Sequence, residues 1–180
     1  MSKVLIKIGF YIGKSKLAKD FLGESIKYFT VPPWWNTTIT IYNHYEDPIT
    51  NHVSWMPTIV HNCFWKINND SVFVNQTNSS SFSLKNVVLC RIPKNDNYLN
   101  PYDWKRLDNE TMKTKFTLQN GDFIVKGEVH DIVDEYTKSQ RATDIKDKYK
   151  ELGVMTINTI SDNSDDTRGI PHYMVGEING

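Results

Sequence analysis

The sequence predicts a mainly β fold: an antiparallel β-barrel or sandwich of about eight strands, with an N-terminal amphipathic helix and one short helix near residues 144–152. Three observations lead to this prediction. From residue 37 onward, β-branched and aromatic residues recur in short alternating runs that are typical of half-buried strands. Asparagine, glycine and proline separate these runs, as they do in turns. Helical spacing of apolar residues is confined to 15–29 and 144–152.

The composition is that of a soluble globular protein and excludes several classes. Hydrophobic residues make up 39% of the 180 residues, and 21 Lys+Arg balance 21 Asp+Glu. A neutral chain lacks the basic field of a nucleic-acid-binding protein, and no apolar run approaches the ~20 residues that span a bilayer. Cys63 and Cys90 are too few for a disulfide framework, so we expect two small buried side chains in a reducing compartment.

The chain is expected to divide into a basic N-terminal arm, residues 1–36, and a β domain, residues 37–180. The first 30 residues contain six lysines against two acidic residues, a net charge of +4, which leaves −4 for the other 150 residues. The arm ends in a Pro-Pro-Trp-Trp linker, where two prolines remove two amide donors and prevent a helix or sheet from continuing.

Within the arm, apolar residues between Ser15 and Phe29 recur at helical spacing and predict an amphipathic helix. Three roles stay open for this helix. It packs on its own domain, it docks on a neighbouring subunit or partner, or it lies on a membrane surface. The few cations and the acidic pair Asp20 and Glu24 weaken the third alternative.

The first half of the β domain is predicted from alternation and turn residues. Asp47-Pro48 and 68–70 are expected to be turns, and Pro57 indicates an edge or a bulge. The Ser- and Asn-rich stretch 75–83 is expected to be an exposed loop. Over the whole domain, the predicted strands are 38–42, 53–67, 71–74, 85–92, 122–127, 129–133, 154–160 and 173–175.

The second half contains one long connection and one helix. Residues 94–115 contain Tyr and Trp residues but no strand pattern, and a connection of this length is usually functional or held by its own apolar side chains. Asn120-Gly121 is a strong turn signal in front of the strand 122–127. The helix near 144–152 is expected to end at Gly153.

The sequence contains no motif that assigns catalysis, a cofactor or a metal. Gly9 to Ser15 ends in Gly-Lys-Ser, but it has one residue too few between its glycines for a phosphate-binding loop. His61, Cys63, Cys90 and His130 lack the paired spacing of a structural zinc site. The acidic clusters, Asp131 with Asp134 and Glu135, and Asp162 with Asp165 and Asp166, lie in turn-like segments where solvated carboxylates are common. We therefore expect no catalytic residue, no cofactor and no enzymatic activity.

Several segments resemble small phage proteins of Gram-positive hosts that join head and tail, over about residues 37–178. The segments that carry the resemblance are 39–45, 87–93, 116–127, 154–157, 162–163 and 171–176. The resemblance implies a neck component, a stopper (head-closure) or adaptor-like ring subunit located in the virion and made in the host cytoplasm. It implies as partners identical subunits in a six- or twelvefold ring, the portal or adaptor, the tail proteins and DNA in transient passage, with no membrane.

This implied role yields hypotheses about individual residues. A ring subunit contacts its neighbours through two different faces. We expect the interface to include Leu17, Phe21, Ile26, Phe29, Trp34, Trp35 and Trp104, and the polar loop around Asn75, Asn78 and Ser80 to line the channel. Two alternatives remain: a tail terminator or tail-completion protein, and a secreted β-sandwich carbohydrate-binding module with an exposed tryptophan platform.

Overall fold

The described part of the chain is mainly β, as predicted. The computed structural model describes residues 31–47, 49–76, 79–166 and 169–179, and only the backbone for 68–86 and 178–179. They belong to one compact unit, Val31–Gly180. The expected N-terminal helix lies outside these residues. The elements are β1 Thr37–Glu46, β2 Val53–Gln76, β3 Ser79–Pro93, α1 Pro101–Trp104, α2 Asn109–Met112, β4 Phe123–Lys126, α3 Ala142–Lys148, β5 Val154–Thr156, β6 Thr159–Asn163 and β7 His172–Asn179.

The seven strands of the described residues form one antiparallel sheet that curls until its two edges adjoin. The strand order is β5-β4-β1-β2-β3-β7-β6, so β5 and β6 are the edges. Only Ile157 and Asn158 separate these two strands in the chain. The Ile157 amide donates to Asp122 O (2.8 Å) and the Asn158 amide to Gly176 O (3.0 Å), which ties the connection to both ends of the sheet. The result is barrel-like without a ladder between β5 and β6, and the single strand predicted over 154–160 is two.

The strand β2 bends where it passes from one neighbour to the next. Its first part pairs with β1, and the register shifts between the pairs Ile39–Val60 and Thr37–Cys63. Asn62 has a φ of 60°, so the extra residue forms a β-bulge with a left-handed backbone. From Phe64 onward β2 pairs with β3 instead. The turn predicted at 68–70 is therefore wrong, because the ladder with β3 continues through these residues.

Two hydrophobic cores lie on opposite faces of the sheet. The interior core contains aliphatic and aromatic residues from every strand except β6, together with Phe116 and Leu118 from the segment before β4. The outer core lies on β1 and β4 and is covered by α3 and the segment 128–141. Alternation places Ile41 in the first core and Tyr42 in the second, as the period of two requires. The outer core contains Tyr42, Phe123, Val125, Val129, Val133, Ala142 and Ile145.

The connection 94–115 is held by its own side chains. It contains two short helices: α1 begins after Asn100, whose Oδ1 accepts from the Asp103 amide (3.0 Å), and α2 begins after Asp108. Trp104 from α1 and Met112 from α2 are fully buried. Buried apolar side chains order a long connection because they remove a large apolar area from water. This was one of the two explanations that the sequence left open.

Two further segments differ from prediction. Residues 129–133 form no strand, because Val129 and Val133 pack on the outer core instead of extending the sheet. The helix predicted at 144–152 occupies Ala142–Lys148, and Gly153 follows it with a φ of 111°. None of the helices in the described part of the chain has the length and apolar character of a membrane span.

Candidate functional site

Of the expected interface residues, only Trp34 is both described and exposed. Its side chain is 67% exposed. Leu17, Phe21, Ile26 and Phe29 lie outside the described residues, so their contacts stay predictions.

Trp35 and Trp104 are buried in their own chain, which corrects the expectation that they contact a neighbour. Trp35 packs edge-to-face on His172, with ring centroids 5.6 Å apart, and lies 6.2 Å from the Phe64 ring. Trp104 is fully buried, and its Nε1 donates to Lys115 O (3.3 Å). Both indoles remove their large apolar area from water within the fold, so neither is available to a partner.

The expected channel loop is also corrected, because most of it is strand. Asn75 pairs with Ser80, and Gln76 pairs with Ser79. Asn78 lies outside the described residues. The serine-rich composition suggested a loop, but strand pairing overrides this weak local preference.

The strands that replace this loop form a two-stranded ribbon, residues 70–76 and 79–85. The last rung that β3 shares with β7 is Asn86–Asn179, so the ribbon extends beyond β7. Seven residues at ~3.3 Å each extend it by about 20 Å. Its only charged residues, Asp70 and Lys85, are opposite each other in the register. A two-stranded ribbon by itself is only marginally stable in water, so the continuous ladder between β2 and β3 supports it.

At the other end of β2 lies an open groove, which we call the β2 groove. Its walls are His52–Met56, at the start of β2, and Ile132–Tyr136, in the segment that covers the outer core. Its volume is about 310 Å³. Ile132 and Tyr136 are 70% and 74% exposed, and the Tyr136 ring lies 4.6 Å from that of His52. Large exposed apolar side chains grouped around a concave surface are typical of an interaction site.

The outer core positions both walls of the groove. Trp55 lies 5.1 Å from the Phe123 ring and 5.1 Å from that of His44, which anchors the β2 wall. Val133 is buried in the same core, so its neighbours Ile132 and Asp134 are held at the surface. Buried residues of the outer core therefore hold both walls of the groove in fixed positions.

Asp131 attaches the second wall to α3 and β1. Its Oδ2 accepts from Lys148 Nζ (2.7 Å) and from the Tyr149 hydroxyl (2.6 Å), and its backbone oxygen accepts from the Tyr42 hydroxyl (2.9 Å). The hydrogen bond from Lys148 is the main reason that the pKa of Asp131 lies below its usual range. Burial raises the pKa of Tyr42. Each of these polar groups holds the backbone of the wall in place.

The segments around the groove are acidic, and the walls themselves contain Asp134 and Glu135. Residues 43–56 and 128–141 contain six carboxylates against Lys138 and Arg141, a net charge of −4. The rest of the chain after residue 30 has 13 acidic and 13 basic residues and is neutral. Lys148 offsets one of the six by pairing with Asp131. The carboxylates are Glu46, Asp47, Glu128, Asp131, Asp134 and Glu135.

A second polar cluster, centred on the buried Asp122 and Asn43, connects β1 to the segment before β4. Asp122 Oδ2 accepts from Asn43 Nδ2 (2.6 Å), while its Oδ1 accepts from the His44 amide (2.8 Å) and from Gln119 Nε2 (3.3 Å). Asn43 also exchanges two hydrogen bonds with the Thr117 backbone. Burial outweighs these donors and raises the pKa of Asp122 to about 6. The cluster is enclosed, so its role is structural.

The acidic residues weighed for catalysis make local structural contacts. Asp134 accepts from the Thr137 amide (2.9 Å) and hydroxyl (2.6 Å), and Glu135 accepts from the Ala142 amide (2.9 Å). Asp162 accepts from the Ser164 amide (2.8 Å), and Asp165 lies 3.7 Å from Lys94. Asp162 lies in strand β6, so the expectation that all of these carboxylates lie in turns is wrong for this residue.

The cysteines and histidines that were considered as metal ligands differ in burial. Cys63 and Cys90 are buried in the interior core, as expected, and desolvation raises the pKa of Cys90. His61 and His130 are exposed. Over the described residues, no group of three or more His, Cys, Asp or Glu side chains is placed to hold a metal ion.

Sequence reasoning missed the groove because its walls are far apart in the chain. Residues 129–133 have strand-like alternation, which hid the exposure of Ile132. The excess of carboxylates in 128–135 is the signal of this surface that the sequence contains, and the same excess also fits an ordinary turn.

Comparison with known proteins places the chain in a family. The sequence model of a family of unknown function (DUF6751) matches residues 34–177. No curated protein and no solved structure matches the chain.

Proposed function

The chain belongs to the family of unknown function DUF6751, and we propose that this member is a structural virion protein of a tailed phage. In this proposal it is a neck or stopper subunit of the head–tail connector. Identical copies form a ring that joins the portal or adaptor to the tail and surrounds the DNA channel. The role involves no catalytic step and no cofactor.

The observation that supports the proposal is the placement of two different surface features, a groove and a two-stranded ribbon, at opposite ends of β2. The groove begins at His52, and the ribbon occupies the last part of β2 and the first part of β3. A subunit of a ring around a channel needs a surface toward its neighbour and an element toward the channel, and the groove and the ribbon are suited to these two roles. The segments that resemble neck proteins of phages are independent support.

The charges of the ribbon suit a channel element, the role expected for Asn75 and Ser80. Its two charged residues, Asp70 and Lys85, face each other in the register and leave it neutral. Binding to DNA grows with the number of phosphates that cations neutralise. A neutral ribbon therefore lets DNA slide past without retaining it.

The structure is compatible with one alternative, a tail terminator, and disfavours the other, a carbohydrate-binding module. A tail terminator assembles by the same principle and differs in contacting the tail tube, so the same two surfaces serve it equally. A carbohydrate-binding module needs exposed tryptophans for stacking. Four of the five pack against the cores or their surroundings, and only Trp34 is largely exposed, which disfavours this class.

The assembly is tested with the purified full chain. Sedimentation velocity over a concentration series and negative-stain images should show a discrete ring. Disrupting the gene in a phage that carries it should yield filled heads and separate tails, and supplying the protein should restore infectious particles. A chain that stays monomeric at every concentration, or a phage that joins heads to tails without it, would contradict the proposal.

A further inference from the structure

We propose that the β2 groove is the acceptor for the basic N-terminal segment, residues 1–30, of a second copy of this chain. The inference rests on the proposed ring assembly and names the surface through which one subunit holds the next. Three properties of the groove and the segment select this occupant.

The first is charge. Residues 1–30 have a net charge of +4. The groove walls contain two carboxylates, Asp134 and Glu135, and no Lys or Arg, and the longer segments around them, 43–56 and 128–141, have a net charge of −4. Opposite charges on two surfaces speed their encounter and exclude partners of the wrong sign. The charge of the groove is thus opposite in sign to that of the segment.

The second is apolar content. Ile132 and Tyr136 stand largely exposed at the groove, above the partly buried Trp55. An amphipathic helix that enters a groove uses apolar residues spaced three or four apart. Leu17 and Phe21 lie four residues apart with Lys19 between them, and Ile26 and Phe29 lie three apart with Lys27 between them.

The third is size. A volume of about 310 Å³ is at the lower limit of the ~300–1,000 Å³ that enclose small ligands. The groove is also open, so it suits a few side chains of a docked segment better than a whole ligand. The first 30 residues precede the described part of the chain.

The experiment uses the full chain and zero-length cross-linking, which joins lysine amines to carboxylates in direct contact. Copies grown in ¹⁴N and ¹⁵N medium are mixed, allowed to exchange and cross-linked. Peptides of mixed isotope composition then report contacts between copies. We expect mixed links from Lys16, Lys19 or Lys27 to carboxylates of 43–56 and 128–141, and fewer of them at high salt.

Variants separate the groove from other exposed apolar sites. Ile132→Ser with Tyr136→Ser removes two exposed side chains and is expected to weaken self-association by roughly tenfold or more. Phe21→Ser should weaken it in the same way, and the two changes together should be less than additive because they remove one contact. Tyr102→Ser, at a site 70% exposed on α1, is the matched control and should leave association unchanged. Circular dichroism verifies that each variant is folded.

The outcomes distinguish the inference from the proposed function. The inference is overturned if the groove variant self-associates as strongly as the wild type, or if the mixed links map to other surfaces. Either result leaves the proposed ring assembly standing. Links confined to single copies also overturn the inference, because the segment then covers its own groove. A wild-type chain without self-association refutes both.

Discussion

The buried carboxyl of Asp122 makes the stability of the fold depend on pH in a direction opposite to that of ordinary carboxylates. Burial raises its pKa from 3.8 to about 6, so the folded state holds the proton more tightly than the unfolded chain does. The stability from this proton is fully present below about pH 3.8 and is lost as the pH rises through 6. At ~1.4 kcal/mol per pH unit, the loss amounts to about 3 kcal/mol.

The assay compares the full wild-type chain with Asp122→Asn, which cannot titrate at this position. Urea unfolding at pH 4, 5, 6 and 7 gives the free energy of unfolding of each protein. The difference between the two at each pH cancels every other titrating group. We expect the wild type to lose about 2–3 kcal/mol relative to the variant between pH 4 and pH 7.

Asp108→Asn is the matched control. Asp108 is exposed, and the hydrogen bonds that it accepts from Thr111 are the main reason that its pKa lies below the usual value. The wild type should therefore gain stability relative to this variant as the pH rises through the acidic range. If the Asp122→Asn difference stays constant with pH or changes in the same direction as the control, the hydrogen bonds to Asp122 outweigh its burial and the reasoning is refuted.

Two further predictions concern buried side chains. Trp104→Ala should lower the free energy of unfolding by about 3–5 kcal/mol because it leaves a cavity in a closed site, whereas exposed Trp34→Ala should change it by less than about 0.5 kcal/mol. Equal effects in urea unfolding would contradict their different burial. The thiols of Cys63 and Cys90 should react with a thiol reagent only after unfolding, since the interior core excludes it. Rapid reaction of the native protein would contradict this.

The regions that sequence predicted well are those with strong local signals. Alternation between Thr38 and Tyr42 placed β1, and Asn120-Gly121 placed the turn before β4, where Gly121 has a φ of 94°. The ribbon was missed because serine and asparagine have weak strand preference. Its pairing comes from the long ladder between β2 and β3, which carries the strands through residues 68–70.

By itself, the sequence determined the class of the fold and the unequal distribution of charge between residues 1–30 and the rest of the chain. The fold class can be predicted because period-two alternation depends only on residues that are neighbours in the chain. The charge distribution can be predicted because the charged residues are counted directly from the sequence. The tertiary structure decided which tryptophans are buried and which segments share a surface. Trp34 and Trp35 are adjacent in the chain but differ in exposure, because only Trp35 packs against His172. The groove exists because the outer core holds His52–Met56 beside Ile132–Tyr136, and no local pattern records a contact between residues so far apart in the chain.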